Sequence, residues 1–176
     1  MIFGATGVVS GDFDRNTAAG YRARLELKTA IGEGTLTTRL QSDNLGSATG
    51  ATPEGSLSWT GDAAGTVAVD ALKYEFPLTP QTQLVVAANA GASDDFTDTI
   101  NPYFDGDGAS GSISAFGNRP SIYYTVQGAG AGIRHKLSDS VELSLGYLSS
   151  TSNTPTTGNG LFGGSYGALA QLTFKT

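Results

Sequence analysis

Between Gly20 and Ser42 the chain alternates with a period of two. Tyr21, Ala23, Leu25 and Leu27 fall on one side, and Arg22, Arg24, Glu26 and Lys28 on the other. A Gly32-Glu33-Gly34 break interrupts the pattern, after which Leu36, Thr38 and Leu40 oppose Thr37, Arg39 and Gln41. Successive side chains of an extended strand point to opposite faces, so this stretch predicts an antiparallel hairpin with one apolar and one densely charged face. Alternation leaves open which face meets water, because an antiparallel sheet can be solvated on either side.

The same period recurs to the end of the chain and predicts about eight strands. Ile2 to Ser10 comes first, rich in glycine, and Asp12 to Thr17 links it to the hairpin. Thr66 to Leu78 places Leu72, Tyr74 and Phe76 against Lys73 and Glu75, and Thr82 to Gly91 lines up Leu84, Val86, Ala88 and Ala90. Gly128 to Leu137 sets Ala129, Ala131, Ile133, His135 and Leu137 against Gly130, Gly132, Arg134 and Lys136. Val141, Leu143, Leu145 and Tyr147 then oppose Glu142, Ser144 and Gly146, and Tyr166, Ala168, Ala170, Leu172 and Phe174 oppose Gln171, Thr173 and Lys175. With 25 glycines and only 15% charged residues, the composition suits a turn-rich all-β chain rather than a disordered one. A net charge of −6 argues against nucleic acid as a partner, and the lack of cysteine removes disulfides and thiolate metal sites.

Connections carry the next signal. Gly32–Gly34, Thr79–Gln81 and Ser138–Ser140 are tight, whereas 44–65, 93–127 and 150–164 are long. In an up-and-down sheet that alternation puts every tight turn at one end and every long loop at the other, the asymmetry of outer-membrane barrels. No apolar run reaches the length of a membrane helix, which leaves short alternating membrane strands open. Tyr21, Tyr74, Phe76, Tyr147, Tyr166 and Phe174 stand near strand ends on the apolar side, where an aromatic girdle would lie and where core aromatics would lie too. In a closed barrel Arg22, Arg24, Glu26, Lys28, Arg39, Lys73, Glu75, Arg134 and Glu142 would all point inward. An eight-stranded barrel cannot hydrate so many charges, and burying them unpaired costs several kcal/mol each, whereas a barrel of about sixteen strands encloses water. Eight strands would be half of such a pore.

The long segment SDDFTDTINPYFDGDGASGSISAFGNRPSIYY, with VDALKYEFPLTPQTQLVVAANAG before it and GAGAGIRHKLSDSVELSLGYL and GNGLFGGSYGALAQLTF after it, resembles the carbohydrate-selective (OprB-like) porin family. The nearest likeness is the cyanobacterial branch, often labelled iron uptake porins. It covers nearly the whole chain, in matching order. The resemblance implies a trimer-forming outer-membrane β-barrel of about sixteen strands. It further implies a signal peptide and an N-terminal surface-layer-homology domain, neither of which this sequence carries. Residues 1–176 are accordingly expected to be a single, partial porin region, the N-terminal half of the barrel. By the same analogy the third long connection, 93–127, would fold inward as a constriction. Asp94, Asp95, Asp98, Asp105, Asp107 and Arg119 would be its charged residues, facing the basic wall of Arg22, Arg24, Arg39 and Arg134 across a transverse field.

Other signals point to structure rather than chemistry. Asp105-Gly106-Asp107-Gly108 resembles part of a calcium loop but lacks the closing glutamate and flanking helices, so no metal site is assigned. His135, beside Leu137, reads as an interface-belt residue, and Trp59 as a loop or rim residue with a sugar-stacking alternative. No nucleophile elbow, phosphate loop or histidine-carboxylate cluster supports catalysis, and no cofactor is implied. The expected function is an outer-membrane porin passing small hydrophilic solutes, either inorganic ions including iron or sugars, in contact with outer-membrane lipid. The alternative is a soluble or surface-displayed all-β carbohydrate-binding module. It would bring Leu25, Leu27, Leu72, Tyr74, Leu143, Leu145 and Leu172 together inside and leave the arginines in bulk water.

Overall fold

The computed structural model describes residues 2–4, 18–44, 61, 63–104, 112, 114 and 117–175. Two short strands, β1 (Ile2–Gly4) and β2 (Ala18–Gly20), pair antiparallel. Seven more form one sheet in chain order: β3 (Arg22–Ile31), β4 (Gly34–Asp43), β5 (Ala68–Thr79), β6 (Thr82–Gly91), β7 (Gly128–Ser138), β8 (Val141–Ser149) and β9 (Tyr166–Phe174). Every strand neighbours the next, so the sheet is antiparallel and up-and-down, and β3 and β9 are its two edges. It is open, not a closed barrel. Among the described residues the only helical pieces are 3-10 turns at Ser93–Asp95, Pro102–Phe104 and Ser121–Tyr124, and no helix is long and apolar enough to cross a membrane.

The strand pattern follows the alternation closely, with two differences. Ala18–Gly20 forms a strand that the alternation does not mark, and only Ile2–Gly4 of the expected first strand lies within the described residues. The strand expected to start at Thr66 starts at Ala68, because a turn precedes it. Thr66 N–H donates to Ala63 O at 2.8 Å, and Ala64 and Gly65 take φ of 50° and 79°, outside the range of regular extended strand.

By its contacts the chain divides into two compact units, Met1–Leu25, Leu40–Ala68 and Thr99–Ser121 in one, Glu26–Arg39, Val69–Asp98 and Ile122–Thr176 in the other. In the first, the buried Asp43 carboxylate accepts from Ala63 N–H at 2.7 Å and from Gln41 Nε2 at 2.9 Å. Tyr21 N–H donates to Asn44 Oδ1 at 2.8 Å, and Ser42 Oγ to Gly65 O at 3.0 Å, so the end of β4 is tied to the chain on both sides of it.

In the second unit the register sorts the side chains cleanly. Glu75 pairs with Val85, Val85 with Gly132, Gly132 with Gly146 and Gly146 with Leu169. One step along, Gln83 pairs with Arg134, Arg134 with Ser144 and Ser144 with Gln171, so this face mixes glycine, polar and charged residues with Val85 and Leu169. The opposite face carries Phe76, Leu84, Ile133, Leu145 and Ala170 in one row and Leu143 with Leu172 in the next. Burial is inverted relative to a water-soluble sheet. Ser144 is 1% exposed on the polar face, whereas Leu172 on the apolar face is 50% exposed, and Leu27, Leu137, Leu145 and Phe174 are exposed with it. The packed cluster is Val85, Phe96 and Leu148, with Val126 and Leu169 against it. Leu25, Leu27, Leu145 and Leu172 do not gather into a core.

Candidate functional site

The polar face is covered by a strap that leaves the end of β6 and folds straight back over the sheet. Its start is a 3-10 turn at Ser93–Asp95, stitched by the Asp95 carboxylate, which accepts from Ala92 N–H at 2.9 Å. Thr97 closes the turn by donating to Ser93 O from its backbone N–H at 2.9 Å and from Oγ1 at 2.7 Å. Using local hydroxyl and carboxylate groups in this way satisfies backbone polar groups that no strand partner reaches.

The turn aims Phe96 down onto the sheet, where it is 2% exposed. Its ring lies against Gly132 and Gly146, which face each other across β7 and β8. A Cβ at either glycine would collide with the ring. Two cross-strand glycines thus form a notch that a ring fills, close packing that a side chain at either position would forbid.

Charged groups fasten the strap on either side of the ring. Lys73 Nζ stands 2.6 Å from Asp95 Oδ1 and 3.6 Å from Glu75 Oε1. Arg134 Nη1 lies 3.0 Å from Asp98 Oδ1, and Nη2 donates to Asp95 O at 3.0 Å. Gln171 Nε2 donates to Asp98 O at 3.0 Å, while its Oε1 accepts from the hydroxyl of the buried Tyr123. Lys175 Nζ lies 3.4 Å from Glu142 Oε2. The strap therefore binds β5, β7 and β9 at once.

The expected lining residues separate into groups. Lys73, Glu75 and Arg134 lie beneath or beside the strap, with Asp94, Asp95 and Asp98 upon it. Asp95 and Asp98 do not face the bases across a gap, as a transverse field requires; they touch Lys73 and Arg134 directly. The strap starts at the rim of the sheet and lies flat on it, so its carboxylates come within contact of the strand cations, and opposite charges at contact cancel most of their far field. Elsewhere Arg39 Nε donates to Asp70 Oδ2 at 2.5 Å, Arg24 Nε to Gln41 Oε1 at 2.5 Å, and Lys28 pairs with Glu26 at 3.0 Å. Arg22 is half-buried on β3. Arg119 belongs to the other unit, where its N–H donates to Phe104 O at 2.6 Å with φ 50°. Asp105, Asp107 and Trp59 lie outside the described residues. His135 Nδ1 is 2.8 Å from Thr82 Oγ1, half-buried on the apolar face.

Reading the alternation missed Phe96, Tyr123 and Gln171 as parts of this arrangement, and Asp70 as the partner of Arg39. A signal for the first was present: Gly130, Gly132 and Gly146 occupy polar-face positions of consecutive strands, a gap in the side-chain layer that something bulky must fill. Tyr123 and Gln171 stand 48 residues apart and carried no such mark.

Comparison with known proteins finds relatives in two cyanobacteria. The chain is 34% identical over 172 residues to the uncharacterized protein sll0772 of Synechocystis sp., covering 96% of this chain and 31% of that one. It is likewise 34% identical over 191 residues to the uncharacterized protein alr4550 of Nostoc sp., covering 97% of this chain and 33% of the relative. No family model matches the chain, and no solved structure matches it. The chain is thus similar to these cyanobacterial proteins and spans about a third of the length of the curated relatives it matches.

Proposed function

We propose that this chain is part of an outer-membrane porin through which small hydrophilic solutes diffuse passively, its apolar face toward lipid and its strapped polar face toward water. One observation carries the reading: Leu145, Leu172 and Phe174 lie exposed on one face of the sheet, while Ser144, Glu142 and Thr173 on the other are buried. Water makes such an arrangement costly, at about 25 cal/mol for each Å² of apolar surface left in contact with it, and acyl chains remove that cost.

Aromatic orientation supports the same reading. Tyr147 OH donates to Leu161 O at 2.7 Å, toward the long-loop end, and Tyr74 OH to Ile31 O at 2.7 Å, beside the tight hairpin turn. Tyrosines with rings on the apolar band and hydroxyls directed away from its middle are the pattern of a membrane interface. Tyr166 and Phe174 mark the two ends of β9 on this face. Eight residues of strand separate them by roughly 26 Å, comparable to the roughly 25 Å apolar band of such barrels.

A pore requires the open edges to be joined. Seven alternating strands leave β3 and β9 running in the same direction, so antiparallel pairing at both edges calls for an odd number of further strands and an even total. The relatives, about three times as long, have room for them. The homotrimer implied by the resemblance belongs to the same proposal. With Asp95 and Asp98 neutralised at contact, the strap acts mainly by narrowing the bore, and net ion preference falls to charges off the strap. Planar-bilayer recording on the complete protein is the test. Stepwise ion-conducting channels are expected, and protein demonstrably inserted yet passing no current refutes the pore.

A further inference from the structure

We infer that the connection between β8 and β9, residues 150–165, is a lipid anchor that presses Leu161 and Phe162 into the boundary between headgroups and acyl chains; this rests on the membrane reading above. Phe162 is 80% exposed and Leu161 also lies open. A phenylalanine held that far into water would normally collapse onto the nearest apolar surface, but this loop is built to prevent it. Gly160 N–H donates to Thr151 O at 3.0 Å, Ser149 Oγ to Gly160 O at 3.1 Å, and Thr151 Oγ1 to Gly163 O at 3.2 Å. Gly158, Gly160 and Gly164 take φ of 83°, 93° and 67°, left-handed values that shape the loop and suit glycine. Backbone and hydroxyl groups are therefore spent on holding the tip, and the tip is apolar.

The position of the tip selects its partner. Phe162 lies 6.0 Å from Tyr147, which in turn stacks on Tyr166 at 5.6 Å, so three rings form one cluster where the apolar face ends. That face runs on through Leu145, Leu172 and Phe174, all three exposed. A patch matching one protein partner has a polar rim, whereas an apolar sheet face open from strand to strand, closed at its end by tyrosines with outward hydroxyls, matches a lipid layer. The anchor belongs in the outer few ångströms of that layer, because the carbonyls and hydroxyls around Leu161 and Phe162 need water or headgroups within reach.

Single-tryptophan variants of this chain test it. In a Trp59→Phe background, Phe162→Trp reports on the loop and Leu145→Trp on the middle of the sheet, each in phosphatidylcholine vesicles carrying lipids brominated near the carbonyls or deep in the chains. Leu145→Trp should be quenched most by deep bromines, and Phe162→Trp most by shallow ones, by about twofold or more over unbrominated lipid. Quenching of Leu145→Trp with none at Phe162→Trp overturns the anchor and leaves the membrane reading standing. Strongest quenching of Phe162→Trp by deep bromines overturns the interfacial placement. No quenching at either position refutes the membrane reading itself, and the anchor with it.

Discussion

Removing the Phe96 ring should release the strap. The side chain is 2% exposed and fills the notch between Gly132 and Gly146, so Phe96→Ala empties a ring-sized space that the two glycine backbones cannot close. Buried Phe→Ala changes cost about 3–5 kcal/mol. The ion pairs that remain, Lys73–Asp95, Arg134–Asp98 and Lys175–Asp98, keep side-chain exposures between 17% and 45%. Partly solvated pairs of that kind are worth about 1 kcal/mol or less each, so the ring, not the charges, dominates the hold. A loss of about 3 kcal/mol raises the open population of the strap by roughly two decades. Because the chain has no cysteine, a single Thr97→Cys makes opening measurable as a thiol-labelling rate. Thr97 is 1% exposed, so reagent reaches it only when the strap lifts. Phe96→Ala should speed labelling about a hundredfold relative to Thr97→Cys alone, with Ser140→Cys on an exposed turn as the standard for intrinsic reactivity. A change within about threefold would show that the ring does not hold the strap, and the reasoning from buried area would fail.

Three further outcomes follow from the same contacts. Gly146→Ala places a methyl group against the Phe96 ring, and overpacking of about 1–3 kcal/mol should speed Thr97→Cys labelling by roughly tenfold or more; an unchanged rate would mean the notch has slack. Gln171→Leu takes the amide from Tyr123 OH and Asp98 O and leaves them only the long 3.4 Å bond to each other, so a destabilisation of about 1–3 kcal/mol should appear in denaturant unfolding, and a neutral result would show that this bond or water replaces the amide. Replacing Arg22 and Arg24 by Glu should move the reversal potential of the reconstituted channel in a salt gradient toward cation preference, whereas an unmoved potential would place both outside the bore.

The strands of this protein were legible because their cause is local. A period of two marks both ends of β3, β4, β6, β8 and β9 to within a residue or two, and the tight turns at Gly32, Pro80 and Asp139 follow from the breaks in it. Alternation also sorted the faces over most of the register, down to Lys73 and Glu75 opposing Tyr74 and Phe76, but not at the end of β6, where a bulge past Ala87 brings Asn89 rather than Ala88 opposite Leu72. Which face lies open did not follow from the alternation, since a polar and an apolar face alternate identically in a sheet bathed by water and in one bathed by lipid. It took the fold to bring Ser93–Asp98 onto the polar side and leave Leu145 and Leu172 bare. The strap itself was invisible along the chain for a related reason. Phe96 needs Gly132 and Gly146 to stand opposite each other, and Asp98 needs Arg134 and Gln171 in one cross-strand row on β7 and β9, with Ser144 of β8 between them. Those coincidences are products of cross-strand register, which no single strand encodes, and the loop's acidic residues read as a free-standing charged wall until pairing brought them into contact with their bases.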